Sequence, residues 1–225
     1  VEVMQSGSAD KLSTRMFGFF AINAVLISFT YVLVFVLEKI FGFVSSVTLV
    51  ELSDVNNPVL RELSEECPGT FQHSMQVSNL ASDAAHRIGA NVQLVRTGAL
   101  YHDIGKINNP AFFTENQHGV NPHDALSPVQ SARIVINHVY DGLKRAEKMK
   151  LPAVITDFIR QHHGSGRAKY FYNTYCNAHP DEDVDPAPFT YPGPNPQTKE
   201  TSILMMADAV EAASRSLKEH TVPAI

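Results

Sequence analysis

Five histidines and two aspartates stand in this 225-residue chain where side chains are expected to turn inward: His73, His102, Asp103, His138, His162, His163 and Asp208. In LVRTGALYHDIGK, Val95, Ala99 and His102 fall at i, i+4 and i+7, so the imidazole lies along an apolar helical stripe. Asp103 follows it directly, and a carboxylate buried there without a partner costs several kcal/mol or loses its charge. A shared cation removes that cost for both neighbours. Asp208 is the only charged side chain in ILMMADAV, residues 203–210, and His138 follows Ile134 by one turn on the apolar face of ARIVINHVYDG. His162-His163 closes a helix that begins at Pro152. Adjacent residues differ by ~100° around a helix axis, so both can turn inward only at a closing end.

A core hydrogen bond or a salt bridge explains one such residue. Seven of them, from five predicted helices, are hard to explain without metal. Neutral imidazoles and carboxylates suit manganese, iron or zinc, and the lack of thiolate ligands argues against a structural zinc centre. Asp103, flanked by histidines from different helices, is a natural bridge between two ions. Two ions about 3.5–4 Å apart lower the pKa of a shared water and stabilise phosphoryl charge, which suits in-line attack on a phosphodiester.

The elements that must hold these residues are mostly helical. Periodicity predicts helices around Ser74–Ile88, Val92–Lys106, Pro128–Lys150, Pro152–His163 and Lys199–Leu217. Cys67-Pro68-Gly69 precedes the first, Gly89 ends it, and Ser127-Pro128 opens the third with a capping residue and a proline at its first position. Asn108–Ala125 and Ser165–Gln197 are rich in Gly, Pro, Asn and aromatics, and PAPFTYPGPNP in the second holds too much proline for a helix or central strand. So long an irregular segment in a compact domain reads as a functional lid or binding loop. No internal repeat is visible.

Ahead of this region, Phe17–Leu37 carries no charge and only Asn23, Ser28 and Thr30 as clearly polar members. A helix needs about 20 residues to cross the hydrocarbon core, so 17–37 reads as a transmembrane helix. The run is too long for the apolar part of a signal peptide, and no small-residue cleavage site follows it. Lys11 and Arg15 at one end and Glu38-Lys39 at the other give too small a charge bias to orient it. Residues 1–16 read as the tail of a preceding region. Residues 38–58 read as a connector, with the alternating piece VTLVEL and the turn SDVNNP, and 59–225 as the helical domain. A formal charge of -5 supplies no basic field for a long nucleic acid. Cys67 and Cys176 form neither a disulfide framework nor a zinc ribbon.

A lone His, then His-Asp, further histidines and a late Asp resemble the HD superfamily of metal-dependent phosphohydrolases. His73, His102-Asp103 and Asp208 match the core of that pattern, while His138 and His162-His163 match the added ligands of its two-metal branch. The runs ELSEECPGTFQHS, LYHDIGKINNPAFFTENQ, NPHDALSP, QHHGSG and FTYPGPNPQTKE resemble the membrane-anchored 7TM-HD phosphodiesterases that hydrolyse cyclic di-AMP. The resemblance covers roughly residues 38–217, and it departs at Gln72, where many relatives carry a second histidine.

It implies an all-α HD-domain bundle preceded by the last helix of a larger membrane domain, anchored in the cell membrane with the HD domain in the cytoplasm. It also implies two divalent transition-metal ions, Mn2+ or Fe2+, cleavage of cyclic di-AMP to the linear dinucleotide pApA, and a partner bilayer at 17–37. Asp103 and Lys106, the lysine of an HDxGK pattern, are the expected catalytic residues, with Lys106 neutralising the phosphate. Tyr170, Phe171, Tyr172 and Tyr191 are candidates for stacking on a base. Rival readings are an HD hydrolase of cyclic di-GMP, deoxynucleoside triphosphates or guanosine polyphosphates, and a receptor module that binds nucleotide without cutting it. Against the cyclic di-GMP branch, HHGSGRAKYFY stands where a GYP element would follow the paired histidines.

Overall fold

The computed structural model describes residues 14–117 and 119–217. The expected tail at 1–16 lies, up to residue 13, outside the described residues, as do the last eight residues of the 59–225 domain. The chain divides into two units at Ser45/Ser46. In the first, helix α1 (Thr14–Phe41) extends beyond the predicted span at both ends. Its Met16–Phe41 stretch, with mean hydropathy 2.4, is long and apolar enough to cross a membrane.

The second unit is built of helices α2 (Ser46–Leu52), α3 (Pro58–Glu66), α4 (Pro68–Arg87), α5 (Val92–Tyr101), α6 (Pro128–Lys148), α7 (Ala153–Gln161), α8 (Lys169–Ala178) and α9 (Lys199–Arg215). Short 3₁₀ turns join α5 to α6, and no strand occurs among the described residues beyond an isolated antiparallel bridge from Arg167 to Thr190. The sequence writes four of these eight helix starts in capping residues. Asn57 accepts from Val59 N ahead of Pro58, Asn91 accepts from Leu94 N, and Ser127 with Gln130 and Thr198 with Thr201 form reciprocal caps. Each of these caps is worth about 0.5–2 kcal/mol.

One core cluster joins α4, α5, α7 and α9: Val77, Ala81 and Ala85 meet Val95, Ala99, Phe158, Ile203, Leu204 and Ala207. Small residues let the helices approach closely, and a methyl on Gly98 would fall 2.4 Å from the Phe158 ring. Burying Phe158 stabilises the bundle by about 1.5–3 kcal/mol. A second cluster packs Ala132, Ile136 and Val139 of α6 against Ala168, Phe189 and Tyr191. It fastens the proline-rich segment to the bundle.

Four expectations need correction. Pro68 does not break a helix but starts one at its first position, where its missing N–H is harmless, so α4 begins before Ser74 and includes His73. The predicted helix Val92–Lys106 stops at Tyr101, because Asp103 adopts φ -108, ψ 14 and a 3₁₀ turn follows over Ile104–Asn108. Alternating VTLVEL lies in α2, whose buried Leu49 presents its carbonyl to Thr97 Oγ1. Ser165–Gln197 is not wholly irregular, since α8 forms ahead of the prolines and Ala187–Phe189 makes a 3₁₀ turn.

Candidate metal centre

Asp103 sits just beyond the break in α5, 2% exposed, with histidine nitrogens on both sides. Its Oδ2 lies 3.2 Å from His102 Nε2 and 3.6 Å from His73 Nε2. Its Oδ1 lies 3.3 Å from His138 Nε2 and 3.6 Å from His162 Nε2. Asp208, from α9, approaches the first pair only, its Oδ1 3.1 Å from His73 Nε2 and 3.9 Å from His102 Nε2. The seven residues therefore sort into two triads, His73, His102, Asp208 and His138, His162, His163. In each triad the ligand atoms lie within 4.8 Å of one another, and Asp103 turns one oxygen to each.

The opposite face of each ring fixes its proton. Nδ1 of His102 is 2.7 Å from Ala99 O, Nδ1 of His162 is 2.9 Å from Ile159 O, and Nδ1 of His138 contacts Val135 O. A carbonyl only accepts, so each Nδ1 carries a hydrogen and Nε2 is the atom left to ligate an ion at the centre. His73 reaches the same state by donating from Nδ1 to Glu211 Oε2, 2.7 Å away. His163 follows His162 where α7 closes. Its ring packs on Tyr191, with centroids 4.1 Å apart.

This donor set fits divalent ions. His102 Nε2 and Asp103 Oδ1 are fully buried without a hydrogen-bond partner among the described residues. Unsatisfied polar atoms on two adjacent side chains are costly in a dry interior, and a cation satisfies both.

Electrostatics separate the histidines. Burial depresses His102, but the adjacent Asp103 outweighs it and raises the imidazole to about 9 when only protein groups act on it. Burial holds His162 below the ordinary range, and burial together with His162 and His138 holds His163 well below it. For the carboxylates burial works upward, yet His102 and Lys106 keep Asp103 well below its usual range, and the adjacent His73 and then His102 do the same for Asp208.

Lys106 is not a solvent-facing lysine. Its Nζ lies 2.7 Å from Asp103 Oδ2 and 2.7 Å from Glu115 Oε1, and these carboxylates, against burial, raise its pKa. It lines a cavity of about 430 Å³ together with His73, Asp103, Thr114, Glu115, His163, Asp208 and Arg215. Tyr191 is brought to the cluster, but Tyr170 and Tyr172 are not. The Tyr172 ring packs on Phe189 beneath Arg167, and Tyr170 is 75% exposed with its ring edge-on to Phe171. Phe171 packs against His123. Helix α8 thus uses its inner aromatics to pack and leaves Tyr170 on the surface.

Sequence reasoning missed Glu115, Glu211 and Arg215. Glu115 accepts from Lys106 and Thr70, and Arg215 pairs with Glu211 one turn before it while standing 3.7 Å from Glu115 Oε2. Glu115 lies within FFTENQ, a motif already singled out. Glu211 and Arg215 sit among Ala and Ser and look like an ordinary solvated pair.

Residues 70–213 match the family described as HD domain. The chain is 47% identical over 189 residues to the cyclic-di-AMP phosphodiesterase PgpH of Listeria monocytogenes, covering 84% of this chain and 26% of the relative. It is 45% identical over 181 residues to the cyclic-di-AMP phosphodiesterase PgpH of Bacillus subtilis, covering 80% and 25%. The chain thus spans about a quarter of the length of these curated relatives. The crystal structure of the L. monocytogenes PgpH HD domain in complex with cyclic-di-AMP superposes with a TM-score of 0.70 at 47% identity, over 73% of this chain and 76% of that one.

Proposed function

This chain belongs to the HD-domain family, and on that premise we propose that it carries the catalytic domain of a membrane-anchored phosphodiesterase that hydrolyses cyclic di-AMP to pApA at a binuclear metal centre. His73, His102 and Asp208 would hold one ion and His138, His162 and His163 the other, with Asp103 turned toward both. Mn2+ or Fe2+ suits these nitrogen and oxygen donors. Ions bound there supply a lowered water pKa and a sink for charge on the phosphoryl oxygens.

The remaining work belongs to protein side chains. Asp103 balances positive charge in a site that is otherwise mostly neutral imidazole. Lys106, held by Glu115 at the cavity wall, places a cation beside the phosphate, and the buried Tyr191 ring backs His163. Helix α1 anchors the chain in the bilayer with the HD domain on the cytoplasmic side.

One observation carries the reading: two triads share a single buried carboxylate whose two oxygens face opposite ways. The similarity to PgpH, whose HD domain has been crystallised with cyclic-di-AMP, supports the substrate. The test is to count bound metal in the purified chain and to measure turnover of cyclic di-AMP beside cyclic di-GMP. Two equivalents and preferential release of pApA are expected. Full metal loading with cyclic di-AMP bound but uncut would instead identify a nucleotide receptor module.

A further inference from the structure

The ring orientations of the liganding histidines have two different origins. His102, His138 and His162 each donate to a carbonyl three residues back in their own helix, so backbone formation alone orients them. His73 makes no such bond. Its Nδ1 finds Glu211 Oε2 at 2.7 Å, across the bundle on α9 and 138 residues away in sequence. Glu211 is 8% exposed, an unusual place for a carboxylate in a helix that also supplies core residues. Its countercharge is Arg215, whose Nη2 contacts both Glu211 oxygens and also comes within 2.8 Å of His73 Nδ1. Ligation of a metal through Nε2 requires the proton on Nδ1, and since a carboxylate accepts while a guanidinium only donates, that proton goes to Glu211 and Arg215 acts as the counterion.

The two triads differ in charge as well as support. Asp208 belongs to the first only, and Glu211 stands directly behind its His73. The second offers three imidazoles oriented by neutral carbonyls or ring packing. Two cations stand on the first side, Lys106, 2.7 Å from both Asp103 Oδ2 and Glu115 Oε1, and Arg215 on Glu211; Glu115 and Glu211 offset them, so Asp208 gives this triad its net extra negative charge.

We propose that Glu211 is a positioning residue for His73, fixing its Nδ1–H tautomer and its ring orientation from across the bundle. The ion site of His73, His102 and Asp208 thereby binds its metal more tightly than the site of His138, His162 and His163. The proposal rests on the binuclear reading above. A carboxylate that accepts from a liganding histidine commonly contributes 10–100-fold in metal affinity, whereas carbonyl-supported rings keep their orientation as long as the helix is intact.

The test is calorimetric titration of the full chain, stripped of metal and kept in detergent, with Mn2+ and separately with Co2+, whose visible absorption reports each site's ligand field. Wild type should bind two ions in two resolved steps. Glu211→Gln should weaken the tighter step by about 10–100-fold and leave the weaker one in place. His73→Ala should remove the same tighter step, and adding Glu211→Gln to it should change nothing further. Arg215→Met should leave both steps near wild type. Two ions in wild type with both steps unchanged in Glu211→Gln would overturn the proposal alone, as would an Arg215→Met effect as large as that of Glu211→Gln. Fewer than two ions in wild type would overturn the binuclear reading with it. If Glu211→Gln does not fold, Glu211→Asp, which keeps the charge but shortens the reach, serves the same comparison.

Discussion

Replacing Gly105 by alanine tests the geometry of the centre without touching a ligand. A Cβ at residue 105 would fall 1.9 Å from the His138 carbonyl oxygen and 2.5 Å from Gly142 N, both backbone atoms of α6. Real Cβ atoms essentially never approach closer than 3.0 Å, so the turn carrying Asp103 and the helix carrying His138 must separate by at least about 1.1 Å. Metal–ligand distances tolerate about 0.2 Å. His138 Nε2, now 3.3 Å from Asp103 Oδ1, would leave the shared site. Overpacking of this kind costs about 1–3 kcal/mol, and 1 kcal/mol in a chain of this size lowers Tm by about 2–4 °C. A misplacement near 1 Å costs about 10²-fold in rate.

Gly105→Ala is therefore expected to lose most of one metal equivalent, by elemental analysis, and about 10²-fold in hydrolysis of a chromogenic phosphodiester, while melting somewhat lower. Gly142→Ala is the control. Its Cβ would crowd the Ile159 Cγ2 methyl, at 2.8 Å, while Gly105 N and Cα, at 3.5 and 3.7 Å, lie at ordinary contact distance, and a side chain can give way where backbone cannot. Two metal equivalents and a rate within twofold of wild type in Gly105→Ala would refute the argument that this close backbone approach sets the spacing of the centre.

Asp103→Ala should disturb both ions and drop hydrolysis to background, whereas Asp208→Ala should weaken one site selectively; two equivalents and near-normal rates in Asp103→Ala would end the binuclear model. Chelation should lower the melting temperature, because ion binding to converging buried ligands adds to folding free energy, and an unchanged melt after complete removal would contradict this. Metal affinity should rise with pH up to about 9, because an incoming ion must displace the proton that Asp103 helps His102 retain, and a flat profile by titration calorimetry would exclude that competition. In the chelated protein, His162 and His163 have folded pKa values below the unfolded one. Their contribution is present above about pH 6.5 and is lost as pH falls, so denaturant midpoints should drop on acidification.

His102 on the Val95-Ala99 stripe, His138 one turn after Ile134 and Asp208 alone in ILMMADAV were legible because each breaks an apolar pattern, whereas His73, in the polar run GTFQHS, was matched through the resemblance. Burial made their chemistry conspicuous. Glu211 and Arg215 escaped because a Glu–Arg pair at i, i+4 usually marks a solvated helix face, and only the tertiary approach of α4 turns Glu211 into a partner of His73. The aromatics were legible as residues but not as an element. Tyr172 looked available because its segment read as a loop, yet α8 is amphipathic and lays that ring on Phe189. Proline further along the segment concealed a helix that ends before the prolines begin.

The two adjacent pairs, His102-Asp103 and His162-His163, solve one geometric problem in the same way. Inside a helix, neighbours point ~100° apart and cannot both face one ion. Each pair instead starts at the C-cap, His102 for α5 and His162 for α7, where the backbone is free to bring the second side chain round. A glycine follows each pair closely because the chain must then turn tightly against another element. Gly105 abuts the His138 carbonyl, and Gly164, at φ +53, lies against Asn195, whose Oδ1 accepts from Ser165 N. A helix C-terminus also carries partial negative charge, and a cation placed there gains about 0.3–1 kcal/mol per helix. The His-Asp-x-Gly and His-His-Gly runs are thus physically equivalent: a helix end, two inward ligands and a glycine that lets the next element close over them.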